Sequence, residues 1–368
     1  MARKILYAVD NFSHLVSYHQ PYLREIAAKG IEIHAAACSP NRGCPYVTRF
    51  FSFPPESGSV SYESFSAVRF LIPILKNERY DMIVLCGSWV SLLLRTALLF
   101  LSPPHPYVVR IGEGLAKEKD DGFFKKTGTL LREKTLRCVT DEILALTADD
   151  YAYAEHHKLY RDKLLLSAGL GLDLDRFRPA TALEKSETRY RLGIPEHVQV
   201  LLYAENFTPR ANHEMLIRAV RFLPKDVYLY LPGEGIRLEK CRELAESLGV
   251  LGQVGFPGAQ RSVLPALYAS DIAVSAELRG TLSMPLLSAM ACGLPVVAAD
   301  TKGNRQIVRD GANGYLYPAG NEYQFADRVI RIYSDRELER SLGTPDPEFL
   351  AKYDLSSVLP EVTQALLF

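Results

Sequence analysis

Short, continuously apolar runs recur along this chain with helix-like stretches between them: "KILYAVD", "IEIHAAAC", "DMIVLCG", "PYVVRIG", "EILALT" and "KLLLSAG" in the first half. A strand that is apolar at every position has both faces covered, the condition of a parallel sheet layered between helices. After a charged, proline-containing stretch, "RFRPATALEKSETRYRLGIPEHVQ", the rhythm restarts with "VLLYAEN", "VYLYLPG", "QVGFPG", "IAVSAE", "PVVAAD" and "GYLYP". The expected fold class is α/β, with two doubly wound domains in tandem and no repeat of solenoid length. The expected division is 1–178 and 179–348, with 349–368 a C-terminal tail packing back toward the first domain. Ligands of open parallel sheets collect at the carboxyl ends of the strands, so two such domains facing each other set both loop clusters on an interdomain cleft.

The charge balance narrows the partners. Lys plus Arg and Asp plus Glu are 43 each in 368 residues, which leaves no global field to draw the chain onto nucleic acid. "MARKILYAVD" runs straight into a strand-like segment without the pattern of a signal peptide, and the expected location is the cytoplasm. The most apolar stretch, "WVSLLLRTALLFL", carries Arg95 and falls short of the roughly 20 residues that span a bilayer, so it reads as a buried helix. Cysteines 38, 44, 86, 138, 241 and 292 form no CxxC pair or zinc spacing, and no metal or disulfide framework is expected. The stretch "FFKKTGTLLREKTLR" sets Phe123, Phe124, Leu130 and Leu131 among basic residues. It is either a helix packed on its own domain or one resting on an anionic membrane surface.

Several loops can carry chemistry. "LRGTLSMP" leads into the helix "PLLSAMACG", with Pro285 near the first helical position and Gly293 at the end. The amides of Thr281, Leu282, Ser283 and Met284 fall at the helix start, where unsatisfied N–H groups and the helix dipole favour a phosphate. Thr281 and Ser283 either add hydroxyl donors or cap the helix. In "YAENFTPRANHEMLIRAV", Arg210 sits in the turn between strand and helix, where a guanidinium can fork onto phosphate oxygens. "LYLPGEG" ends a strand in Gly233 and Gly235, which permit a tight turn or a close backbone approach. In the first half, Arg110 and Glu113 follow a strand, and Glu113 can bind sugar hydroxyls or act as a base. His14 and His19 follow the first strand and either face the cleft or cap a helix.

These residues resemble the nucleotide-sugar-dependent glycosyltransferases of the GT-B fold, two facing Rossmann-like domains, and within them the retaining family 4. The resemblance rests on "GLGLDLDRFRP", with Gly171, Asp173, Phe177 and Pro179 matching, and on "LPGEG" and "VGFPG" with Val254, Phe256 and Gly258. "LYASDIAVSAEL", "SAMACGLPVVAAD" and "KGNRQIVRDGANGYLYP" complete a run from about 165 to 335, while the first domain matches loosely through "YHQPYL". The chain looks most like enzymes of bacterial exopolysaccharide and capsule assembly.

The resemblance implies transfer of a hexosyl-type sugar from a nucleotide diphosphate, a UDP-sugar first, to a glycan or lipid-linked acceptor. It further implies retained anomeric configuration, no metal or other cofactor, and a cytoplasmic enzyme peripheral at the inner membrane face. The family's two donor-site glutamates, eight residues apart, fall on Gly280 and Ser288, and its diphosphate-binding basic pair falls on Asn206 and Ala211. Arg210, one position displaced, stands in for that pair, and Glu277 is the nearby carboxylate able to reach the sugar. The cleft histidine's place falls on Gly112 or Glu113. The catalytic candidates are Glu113, Glu277 and Arg210. The donor-binding candidates are Asn206, Arg210, Gly233, Gly235, Gly258, Gly280, Thr281, Leu282, Ser283, Met284 and Ser288. A non-catalytic relative that supports a partner transferase is the rival class, and a nucleotide-sugar epimerase on a similar scaffold is a third.

Overall fold

The computed structural model describes residues 3–10, 12–37, 43–53, 62–112, 114–115, 123–260, 262–279 and 282–367. The chain divides into two units, Met1–Gly171 with Leu355–Phe368, and Leu172–Asp354. The first holds β1 (Lys4–Val9), β2 (Glu32–Ala37), β3 (Arg49–Ser52), β4 (Met82–Cys86), β5 (Tyr107–Gly112), β6 (Glu142–Ala145) and β7 (Lys163–Leu166). They form one parallel sheet in the order β3-β2-β1-β4-β5-β6-β7. The second holds β8 (Gln199–Leu202), β9 (Val227–Pro232), β10 (Val254–Gly258), β11 (Ile272–Ser275), β12 (Val296–Ala299) and β13 (Tyr315–Tyr317). Its parallel order is β10-β9-β8-β11-β12-β13.

Each apolar run of the sequence is a strand, and the added strand is β3. Its four residues, Arg49–Ser52, bury only Phe51 and lie at the sheet edge, so they lack the continuous apolar signature of a central strand. The stretch with Arg95 is the helix Ser88–Leu98, with Trp89, Val90, Leu93 and Leu94 buried in the first core. No described helix is long and apolar enough to cross a membrane.

The units meet at 171/172 and 354/355, not at 178/179 and 348/349. Leu172 N donates to Tyr353 O at 2.7 Å, and Leu172 bridges Asp354, so entry and exit of the second unit are tied backbone to backbone. The segment "DLDRFRP" is already part of that unit: Arg176 donates to Ser262 Oγ at 3.0 Å. The terminal helix Leu355–Leu366 packs on the helix Gln20–Ala28 of the first unit.

The first unit buries a charge cluster in its helical layer. Glu133 Oε2 accepts from Arg95 at 2.9 Å and from Arg110 at 2.6 Å, and all three side chains are at most 5% exposed. Burial alone would raise the Glu133 carboxyl, but the Arg110 and Arg95 guanidinium groups overrule it and hold it far below the usual carboxylate range. Burial and the like charge of Arg110 pull Arg95 down to about 10, so it stays charged at neutral pH.

Candidate functional site

In both sheets the chain runs outward on one side of its first strand and then returns to the other side. The loops after β1 and β4, and after β8 and β11, therefore diverge at the carboxyl edge and leave a crevice there. The two crevices are filled differently.

In the first unit the crevice is closed by the protein's own carboxylate. Asp10, just after β1, accepts from Val90 N at 2.7 Å and from Trp89 N at 3.2 Å, occupying the start of the helix that follows β4. Gly87 makes room for it: its φ is +117°, and a Cβ there would lie 2.3 Å from Asp10 Cγ. Gly87→Ala is expected to cost at least about 2 kcal/mol, through the lost cap and the strained φ. A urea midpoint within error of the parent protein would contradict this. His19 lies in the π-helical turn Leu15–His19 and is buried, with Nδ1 2.9 Å from Tyr7 Oη and Nε2 3.5 Å from Cys86 Sγ. It is a core residue, and burial with the neighbouring His14 lowers its pKa to about 3.

In the second unit the crevice is a recess between β8 and β11, lined among others by Tyr203, Glu205, Val263, Ser275, Ser283 and Pro285. The loops beside it are joined by Leu278 N donating to Arg210 O at 3.0 Å. That contact brings the Arg210 guanidinium to 3.8 Å from the Glu277 carboxylate; Arg210 is half exposed and Glu277 nearly buried. The two candidate side chains thus meet, as an ion pair. Tyr203 is fully buried and donates to Ala211 O at 2.9 Å. Burial, then the charges of Glu277 and Glu205, push its phenol well above the ordinary value, so it stays a neutral donor. Tyr203, Glu205 and Val263 were not singled out from the sequence; their signal is position alone, at or beyond strand ends.

Other candidates have local roles. The helix Met284–Ala291 begins with Ser283 as its cap: Ser283 Oγ accepts from Leu286 N at 3.4 Å, and Ser283 O accepts from Leu287 N. Pro285 has no N–H, so this helix start keeps much less anion-binding capacity than four free amides would give. Leu282 and Met284 are buried. Ser288 is fully buried, and its hydroxyl donates to Met284 O at 2.8 Å, a back-bond within its own helix. Its side chain has no exposed surface in this structure.

Gly233 and Gly235 lie close against the backbone of the second unit. A Cβ on Gly233 would lie 2.2 Å from Glu205 O, and one on Gly235 2.6 Å from Phe207 O. The backbone approach these glycines permit is to the chain's own loop after β8. Gly258, at φ +79°, has open space where its Cβ would be, and Asn206 is partly exposed in the loop before Arg210. Glu113, Gly280 and Thr281 lie outside the described residues. His213 stacks on Phe207, with ring centroids 4.0 Å apart, and neither ring nitrogen makes a well-formed hydrogen bond. Burial lowers it to about 3, and the Glu205 backbone offsets only part of that. Among the described residues no group of three His, Cys, Asp or Glu could hold a metal ion.

The pattern of the family described as "Glycosyl transferases group 1" matches residues 184–345. EpsD of Bacillus subtilis strain 168, a provisionally named glycosyltransferase, is 30% identical over 349 residues, 93% of this chain and 91% of that one. The lipopolysaccharide core biosynthesis glycosyltransferase LpsE of Rhizobium meliloti strain 1021 is 34% identical over 162 residues, 44% of this chain and 47% of the other. Among solved structures, Anabaena Alr3699/HepE in complex with UDP and glucose superimposes with a TM-score of 0.74 at 15% identity, covering 99% of both chains. With its two parallel Rossmann-like sheets on the GT-B plan, this chain belongs to the group 1 glycosyl transferases.

Proposed function

We propose that the protein transfers a hexosyl group, with retention as in family 4, from a UDP-sugar to a glycan or lipid-linked acceptor in cell-surface polysaccharide synthesis. The observation that carries this reading is the recess between β8 and β11, with Arg210 and Glu277 drawn together beside it by the Leu278 amide. The names of the two comparators support the donor and the setting: UDP with glucose in one, lipopolysaccharide core synthesis in the other.

Cleavage of the donor's glycosidic bond builds negative charge on the diphosphate, and a preorganised cation there lowers the barrier. Arg210 is the group suited to it: half exposed, planar and always charged. Glu277, nearly buried beside it, holds the guanidinium in place before the donor arrives and presents acceptor oxygens to sugar hydroxyls. Tyr203 and the Leu278 amide fix the backbone that carries the pair.

Calorimetric titration of the purified chain with UDP, GDP and ADP, followed by release of UDP from UDP-sugars, tests this reading. Arg210→Ala is expected to weaken UDP binding about tenfold or more, the loss of one charge-assisted contact, while leaving uridine binding unchanged. An equal effect on both ligands removes Arg210 from the diphosphate. A second reading, a non-catalytic relative, is favoured by the intrahelical engagement of Ser288 and by Asn206 and Ala211 at the basic positions. It predicts no UDP binding by the folded protein.

A further inference from the structure

Three neighbouring strands of the first sheet begin side by side at its amino-terminal edge: β5 at Tyr107, β6 at Glu142 and β7 at Lys163. Lys163 lies opposite Glu142 in the ladder, and Asp162 stands just before it. The Tyr107 phenol falls between two carboxyl groups, its Oη 2.9 Å from Asp162 Oδ2 and 3.1 Å from Glu142 Oε2. Both separations are within reach of a hydrogen bond, yet a phenol has one proton to donate and an ionised carboxylate has none. Two bonds therefore need a second proton, and one of the carboxyl groups has to hold it.

Exposure decides which one. Asp162 is exposed, whereas Glu142 is only 2% exposed, and its Oε1 is buried without a hydrogen-bond partner. An ionised Glu142 would leave a charged oxygen stripped of water and bonded to nothing, while a neutral acid loses far less. Burial raises the Glu142 carboxyl and the charge of Asp162 adds to the rise; the Tyr107 hydrogen bond and Lys163 oppose it. Burial and the bonds to Asp162 and Glu142 push the Tyr107 phenol up as well, so it remains a donor. The other charged groups at this edge are engaged elsewhere. Asp141 pairs with Arg161 at 3.2 Å and accepts from Val108 N, and on the helix Ala148–His157, His156 and His157 act on each other beside Lys134.

We infer that Glu142 holds a proton in mild acid, where an ordinary glutamate is ionised, and donates it to Tyr107 while Tyr107 donates to Asp162. The three groups form a proton-operated clasp joining the starts of β5 and β6 to the residue before β7. Loss of the proton sets two carboxylates against one phenol and loosens the clasp. The first unit thus contains one element that acid tightens, set against His19, which acid loosens. The inference is independent of the donor chemistry proposed for the second unit.

Infrared spectra of the full chain test it. At about pH 5.5 they should show the carbonyl stretch of an un-ionised carboxylic acid, which fades as the pH rises and is absent from Glu142→Gln. Asp162→Asn, at an exposed position, removes the charge that favours the proton and frees the Tyr107 hydrogen for Glu142, so the band should fade at lower pH than in the parent. Urea unfolding followed by Trp89 fluorescence gives a second readout. Above about pH 4.5, the unfolding constant of the parent divided by that of Glu142→Gln should rise about tenfold per pH unit until Glu142 ionises, because the parent alone releases this proton on unfolding. His19 is present in both proteins and cancels from the ratio. A ratio that does not change with pH, no carboxylic acid band at about pH 5.5, or a band that survives in Glu142→Gln overturns the inference. A band that fades at the same pH in Asp162→Asn and the parent overturns it too.

Discussion

Glu133→Ala is expected to unfold the first unit, or to bring it close to unfolding, at temperatures the parent protein tolerates. The substitution leaves two guanidinium groups, Arg95 and Arg110, buried without their shared carboxylate. Removing one partner of a buried charge cluster costs about 3–5 kcal/mol, a large part of the roughly 5–15 kcal/mol that holds an ordinary domain together. Arg110→Leu should be far milder, because Arg95 and Glu133 remain as a matched pair and an excess buried charge is removed. The chain's single tryptophan, Trp89, lies in the core of this unit and reports on it alone. Urea unfolding followed by Trp89 fluorescence decides the point: an unfolding free energy for Glu133→Ala within about 1 kcal/mol of the parent's, or one above that of Arg110→Leu, contradicts the account.

Mild acid should weaken both units, the first chiefly through His19 and the second through His213. His19 in the first and His213 in the second have folded pKa values of about 3, against an ordinary value of 6.5, because burial disfavours their charged forms. A lowered histidine pKa means that the unfolded chain takes up the proton first. The stability each contributes is therefore intact above pH 6.5 and is lost progressively as the pH falls from 6.5 toward 3. At pH 5 the loss is about 2 kcal/mol per histidine. In the first unit Glu142 opposes it, since burial raises its carboxyl and the folded state then gains from protonation. The carboxyls of Glu78, Glu133 and Glu184, lowered by their basic partners or hydrogen bonds, add their losses only at more acid pH.

His213→Phe separates the contributions. An aromatic ring of similar shape keeps the stack on Phe207 while removing two poorly satisfied buried nitrogens, so the variant should be at least as stable at neutral pH. Between pH 7 and pH 5 the variant, followed by near-ultraviolet circular dichroism, should lose about 2 kcal/mol less stability than the parent. The same pH slope in both proteins would exclude His213 as the cause.

Twelve of the thirteen described strands were legible as apolar runs in the sequence, most of them because both their faces are covered. β3 was not: exposed Arg49 and Ser52 interrupt its run, and only Phe51 is buried. The cap at Ser283 and the buried helix around Trp89 were also readable, being local matters of hydroxyl placement and apolar content. Contacts between distant segments were not. Arg95 is visible in its apolar stretch, yet its partner Glu133 lies 38 positions away and is chosen by the packing of one crossover helix beside the next. Ser288 reads as an available hydroxyl, and only the helix geometry shows it bonded to its own backbone.

What the sequence determined by itself was the α/β class, the two-sheet plan and the family, because hydrophobic period and motif spacing are properties of the chain taken in order. The tertiary structure decided which crevice is open, that Asp10 fills one, and that Arg210 meets Glu277 beside the other. It also gave Gly233 and Gly235 to the loop after β8, since a close approach between backbones is a relation between two segments that neither states alone.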